Sequence, residues 1–138
     1  MADAVASQTL FDGERMAIMK FTDISDGTGE SKVLKVDVSA LAPSAAGGAC
    51  DGVTITKIHA STHGMEVQIF WDATTDVFCW GVPQNSQYTW DWEKMGGLVN
   101  NAGAGKTGDI LFSTVDASNG DFYTIVLEMV KHYVNPYA

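Results

Sequence analysis

Apolar residues recur at every second position through most of this chain, and that period decides what it can fold into. In "ERMAIMKFT", Ala17, Met19 and Phe21 share one face, with Met16, Ile18 and Lys20 on the other. "KVLKVDVS" sets Leu34, Val36 and Val38 against Val33, Lys35 and Asp37. "MEVQIFWD" sets Val67, Ile69 and Trp71 opposite Glu66, Gln68 and Asp72, and "VTITKIHAS" repeats the alternation. A period of two is that of strands burying one face and wetting the other. An amphipathic helix needs 3.6.

Turn signals punctuate these runs: Asp12-Gly13, Asp26-Gly27, Asp51-Gly52, His63-Gly64 and Asn119-Gly120. Asp-Gly and Asn-Gly suit the positive φ angles of tight hairpins. Asp outnumbers Glu by 12 to 5, as it does when acids serve turns rather than helix faces. The stretch 41–52, "LAPSAAGGACDG", reads as a loop. In "DFYTIVLEMVKHYV", Tyr123, Ile125, Leu127 and Met129 alternate with Thr124, Val126 and Glu128. Its β-branched and aromatic content favours one long strand over a helix. Eight to ten strands at about this spacing predict an all-β, single-domain antiparallel sandwich, jelly-roll-like or immunoglobulin-like, or a small barrel. No internal repeat or linker divides residues 1–138, and residues 1–10 are set apart as an N-terminal arm.

Length and charge narrow the function. A chain of 138 residues that is 46% hydrophobic buries a core large enough to fold without metal or disulfide. The net charge is −9, and Arg15 is the single arginine. Phosphate-backbone recognition needs clustered Lys and Arg, so no direct nucleic-acid partner is expected. "MADAVASQTL" lacks the basic and apolar regions of a secretory signal, and no apolar run is long enough for a membrane helix. Cys50 and Cys79 fit synthesis in a reducing cytoplasm, with a bridge between them left open.

"NNAGAGKTGD" has the flavour of a phosphate-binding loop, but the spacing fails. Gly-x-x-x-x-Gly-Lys-Thr requires glycine where Asn100 stands, and "ILFSTV", Ile110 to Val115, continues as a strand rather than a helix. Cys50, His59, His63 and Cys79 are zinc-ligand types, but no closely spaced cysteine pair exists, and no metal is expected. Asp91 and Glu93 would share one exposed face, the ordinary place for solvated acids. No local signature of a nucleophile or base appears, so no enzyme and no cofactor are expected.

The aromatics are denser than turns and strands require. "FCWGVPQNSQYTWDWEK" holds Phe78, Trp80, Tyr88, Trp90 and Trp92, and alternation points Tyr88, Trp90 and Trp92 the same way. Such a face is core, a stacking platform for sugar rings, or a protein interface rich in hot-spot residue types.

Taken together, "DGERMAIMKFTDISDGTGE", "KVDVSAL", "FWDATTDV" and "NNAGAGKTGDILFSTV…GDFYTIVLEMVKHY" resemble small proteins encoded among the head genes of tailed bacteriophages, from about Phe11 to Tyr133. The resemblance implies a virion structural protein, foremost a capsid decoration or cement protein. It would be made in the host cytoplasm and bind the major capsid protein on the capsid exterior, as a dimer or trimer. It also admits a tail, neck or head-fibre component, or a virion-displayed carbohydrate-binding module. It brings no catalytic residues.

Overall fold

The computed structural model describes residues 4–135. The strands are β1 (Ala4–Asp12), β2 (Met16–Ile24), β3 (Val33–Val36), β4 (Cys50–His63), β5 (Glu66–Trp71), β6 (Val77–Val82), β7 (Gln87–Asp91), β8 (Ile110–Val115) and β9 (Phe122–Tyr133). Two single 3-10 turns, Val38–Ala40 and Glu93–Met95, are the only helical geometry among the described residues. The long C-terminal element is one strand, as its β-branched and aromatic content requires.

The strands form two antiparallel sheets packed as a sandwich, with orders β1-β2-β9-β4-β7 and β3-β8-β5-β6. The pairings nest around the β5–β6 hairpin: β4 lies beside β7, β3 beside β8, and β2 beside β9, alternating between sheets. A long hairpin rolled up in this way is a jelly roll. It is neither the immunoglobulin order nor a closed barrel, and β1 is added to it as an outer strand. Of residues 1–10, expected as an arm, 1–3 lie outside the described residues and 4–10 lie within β1, where Ala4 to Thr9 pair with β2.

Inward faces follow the alternation. Ala17 and Phe21, Val67, Ile69 and Trp71, and Tyr123, Ile125, Leu127 and Met129 are all buried. Phe21 meets the edge of Phe112 at 5.2 Å between centroids, and Phe112 meets Tyr123 at 5.9 Å, joining the two sheets.

Three local expectations fail, two of them at bulges. The register of β3 against β8 shifts between Leu34 and Val36. Lys35 and Val36 are therefore both buried while Leu34 is exposed, against simple alternation. Lys35 Nζ lies 2.6 Å from Glu30 Oε2, and Tyr123 Oη donates to Glu30 Oε1 at 2.5 Å. Burying this charge is tolerable only because it is paired and hydrogen-bonded. Asp51-Gly52 is no turn but part of β4, at a second bulge between Cys50 and Gly52. The 41–52 loop accordingly ends at Ala49. Gly108 presses against this bulge at φ +89°, where a Cβ would stand 2.3 Å from the Asp51 carbonyl oxygen. That close approach, rather than phosphate binding, accounts for the last glycine of the "GKTG" run.

Candidate functional site

The aromatic run builds the side of the sandwich where β6 and β7 end their sheets. On β7, Tyr88 stands opposite Ala60 and Trp90 opposite Ile58, so the two rings share one side of the strand, as alternation predicts. Trp92 follows the strand and donates its backbone N–H to the Thr56 carbonyl at 2.8 Å. Trp80 of β6 reaches across from the other sheet. Its ring meets Trp92 at 4.7 Å and Trp90 at 5.9 Å, both edge-on, and Tyr88 continues the chain against Trp90 at 5.1 Å.

These rings divide into two kinds. Trp80, Trp90 and Trp92 are half-buried and packed against the core, so they close the gap between the sheets. Tyr88 is 61% exposed at the outer end of the row. The sequence places Tyr88, Trp90 and Trp92 on one face correctly but does not separate seal from surface. Phe78 of β6, which meets Phe70 edge-on at 5.7 Å, and Met95 and Val99 of the segment after β7 are 53%, 74% and 67% exposed, and nothing in the spacing of Met95 and Val99 announces this. A groove of about 320 Å³ runs beside Phe78, Leu98 and Val99, floored by Trp71. Backbone bonds between Ile55 and Leu98, at 2.7 and 3.1 Å, tie this segment back to β4.

A second groove, of about 460 Å³, lies on the outer face beside Tyr88 and is lined by His59, Ser61, Gln87, Thr89 and Thr124. His59 is held on both sides: Nδ1 lies 3.1 Å from Thr89 Oγ1, and Nε2 lies 2.5 Å from Glu128 Oε2. The order hydroxyl–imidazole–carboxylate is that of a nucleophile relay. His59 and Glu128 sit on β4 and β9, each paired on both sides, so these strands' amides serve the ladders. What the groove does offer is hydroxyl, amide and imidazole groups next to an exposed ring.

The other candidates are dispersed. Cys50 begins β4 and Cys79 lies on β6 in the opposite sheet, and both thiols are free. Burial pushes the Cys79 thiol up to about 12, so it is not a thiolate at neutral pH. His63 stacks on Phe122 at 5.6 Å. The described residues contain no group of three or more His, Cys, Asp or Glu able to hold a metal ion. Thr107 Oγ1 donates to Asp72 Oδ2 at 2.7 Å in a loop that runs into β8. Asp91 and Glu93 converge on Lys57, at 3.9 and 3.1 Å, and that pairing raises the lysine's pKa, chiefly through the hydrogen bond to Glu93.

No protein-family model matches this chain, and no curated protein matches it.

Proposed function

We propose that this chain is a structural protein of a tailed-bacteriophage virion, a decoration protein that docks on the outside of the major capsid protein shell. The resemblance of its sequence segments to head-gene proteins suggests the setting. The observation that carries the reading is the set of exposed apolar groups on β6, β7 and the segment after it, Phe78, Tyr88, Met95 and Val99, with Tyr88 set against a tryptophan seal. Large apolar and aromatic groups held on a rigid base are what hot spots are made of. With a net charge of −9 and few bases, affinity for a shell falls to such contacts rather than to basic clusters. The jelly roll supports the reading by analogy only, since that fold serves capsids and lectins alike.

The test mixes purified protein with shells that lack it, sediments them, and counts bound copies across a salt series. Saturable binding at many copies per shell that survives added salt is the expected result. No binding at any concentration, or a few copies confined to a tail, neck or head fibre, overturns it. A second reading, a carbohydrate-binding module displayed on the virion, rests on the groove beside Tyr88, with its hydroxyl, amide and imidazole groups among apolar ones. Chemical-shift changes at Tyr88 and His59 on adding host-surface glycans, with no shell binding, would favour it.

A further inference from the structure

The two sheets end in four edge strands, β1 and β7 in one and β3 and β6 in the other. An open edge offers unpaired N–H and C=O groups to any strand, and proteins blunt edges with charge, bulges, brevity or cover. Three of the four are blunted. β3 is four residues long, bulged, and carries Lys35. β6 pairs across a register shift, contains Gly81, and runs into Pro83. β7 has five residues, ends at Asp91, and leads directly into the turn that returns to β4.

Among the described residues, β1 has none of these protections along most of its length. It runs for nine residues, and Ala4 to Phe11, "AVASQTLF", contains no charge, proline or glycine. Its one irregularity, between Thr9 and Phe11, leaves Ala4 to Thr9 in unbroken register with β2. Both of its faces are exposed, including Val5, Ser7 and Thr9 on the inward side, because the smaller sheet does not cover them. Val5, Leu10 and Phe11 are 46%, 48% and 54% exposed, and Ile24 on β2 is 57% exposed. A largely apolar groove of about 490 Å³ opens here among Ala4, Val5, Ala6, Ile24 and Phe122, and Asp23 of β2, itself buried, is also in its lining. The strand is held in place at its far end. Lys131 Nζ, fully buried, donates to Asp12 Oδ1, the Gly13 carbonyl and the Ala42 carbonyl at 2.5, 2.9 and 2.8 Å.

We infer that β1 is a homodimer interface: β1 of one copy pairs antiparallel with β1 of a second across a two-fold axis, making one continuous sheet from two. The uncharged strip, the blunting of the other edges and the anchoring of the strand fit a second copy as the occupant. Two chains of net charge −9 repel wherever acids meet, and Ala4 to Phe11 is a long strip where they meet none. A two-fold axis through the strand makes it its own partner, residue i facing j and j facing i. Because the remaining edges are blunted, pairing closes at two copies instead of growing into a fibre. The anchored strand is already extended, so little further ordering is needed. This inference is independent of any role in a virion.

Sedimentation velocity of the full chain across a concentration series tests it. A dimer is expected. Ala6→Glu and Ser7→Glu place like charges near the axis, one on each face, at positions exposed in the monomer. Each should weaken dimerisation about tenfold or more while leaving the circular dichroism unchanged. Ser7→Cys should give an intermolecular disulfide under mild oxidation, and Tyr88→Ala should leave dimerisation unaltered. A wild-type monomer at every concentration, a trimer or open fibre, or dimers insensitive to both glutamates would overturn the inference.

Discussion

The two edges of the five-stranded sheet, β1 and β7, face opposite problems with opposite chemistry. At β7 the sandwich would gape, and three tryptophans from two sheets fill the gap. At β1 nothing is filled: the strand overhangs the smaller sheet with both faces in solvent. A sealed edge puts its tryptophan area into the stability of the monomer and leaves the groups outside the seal, Tyr88 foremost, free to bind. An overhanging edge contributes little to the monomer and keeps its apolar groups for a partner. Exposed hydrophobic side chains thus mean different things at the two ends of one sheet.

The contrast breaks most sharply under truncation. Trp80→Ala removes the ring that touches both other tryptophans, and urea unfolding should show a loss of about 3 kcal/mol or more. Val5→Ala on β1 should stay within about 0.5 kcal/mol for the monomer, the usual range for exposed positions. Equal costs at the two sites would abolish the distinction between seal and overhang.

Next in size is the anchor of β1. Asp12→Ala leaves the buried Lys131 ammonium with carbonyl partners alone and should cost about 3 kcal/mol, the lower end for breaking a buried pair. Amide exchange of β1 should rise with it, while that of β7 should not. Acid should act on the same anchor. Burial works to raise the Asp12 pKa, but the Lys131 hydrogen bond and the Ala42 amide outweigh it and hold the carboxyl below its ordinary 3.8. A folded-state pKa below the unfolded one gives stability that is present above about pH 4 and lost as pH falls through the folded value. Loosening of β1 should therefore begin only below pH 4, and the Asp12→Ala variant should lack that step.

Smaller in stability but decisive for function is Tyr88→Ala. Its unfolding midpoint should match the wild type within about 0.5 kcal/mol. Its binding to shells should weaken by about 2 kcal/mol if the rim of the sealed edge is the docking anchor. A variant that unfolds would move Tyr88 into the seal with the tryptophans.

How much of this the sequence disclosed follows from the range of each interaction. The strands containing Ala17 to Phe21, Val67 to Trp71 and Tyr123 to Met129 were legible because alternation is written between neighbours two apart. The shared direction of Tyr88 and Trp90 was legible for the same reason. That Trp90 seals while Tyr88 protrudes was not, because the difference lies in Trp80, which comes from the other sheet. Lys35 looked like a solvent-facing residue because a bulge leaves no mark in local hydrophobicity. His59 showed no partner in its own segment, since Thr89 and Glu128 arrive from β7 and β9.

By itself, then, the chain's alternation and turn chemistry determined that it forms strands, which faces most of them bury, and that the result is all-β, with sandwich and small barrel both open. Tertiary structure alone decided the nesting of strands into a jelly roll and which edges are blunted. It also joined residues as distant as Asp12 and Lys131. Local propensity acts within a few residues and is set by covalent geometry and side-chain shape. Pairing order, bulges and buried ion pairs are free-energy differences between whole arrangements, and exist only once distant segments are brought into contact.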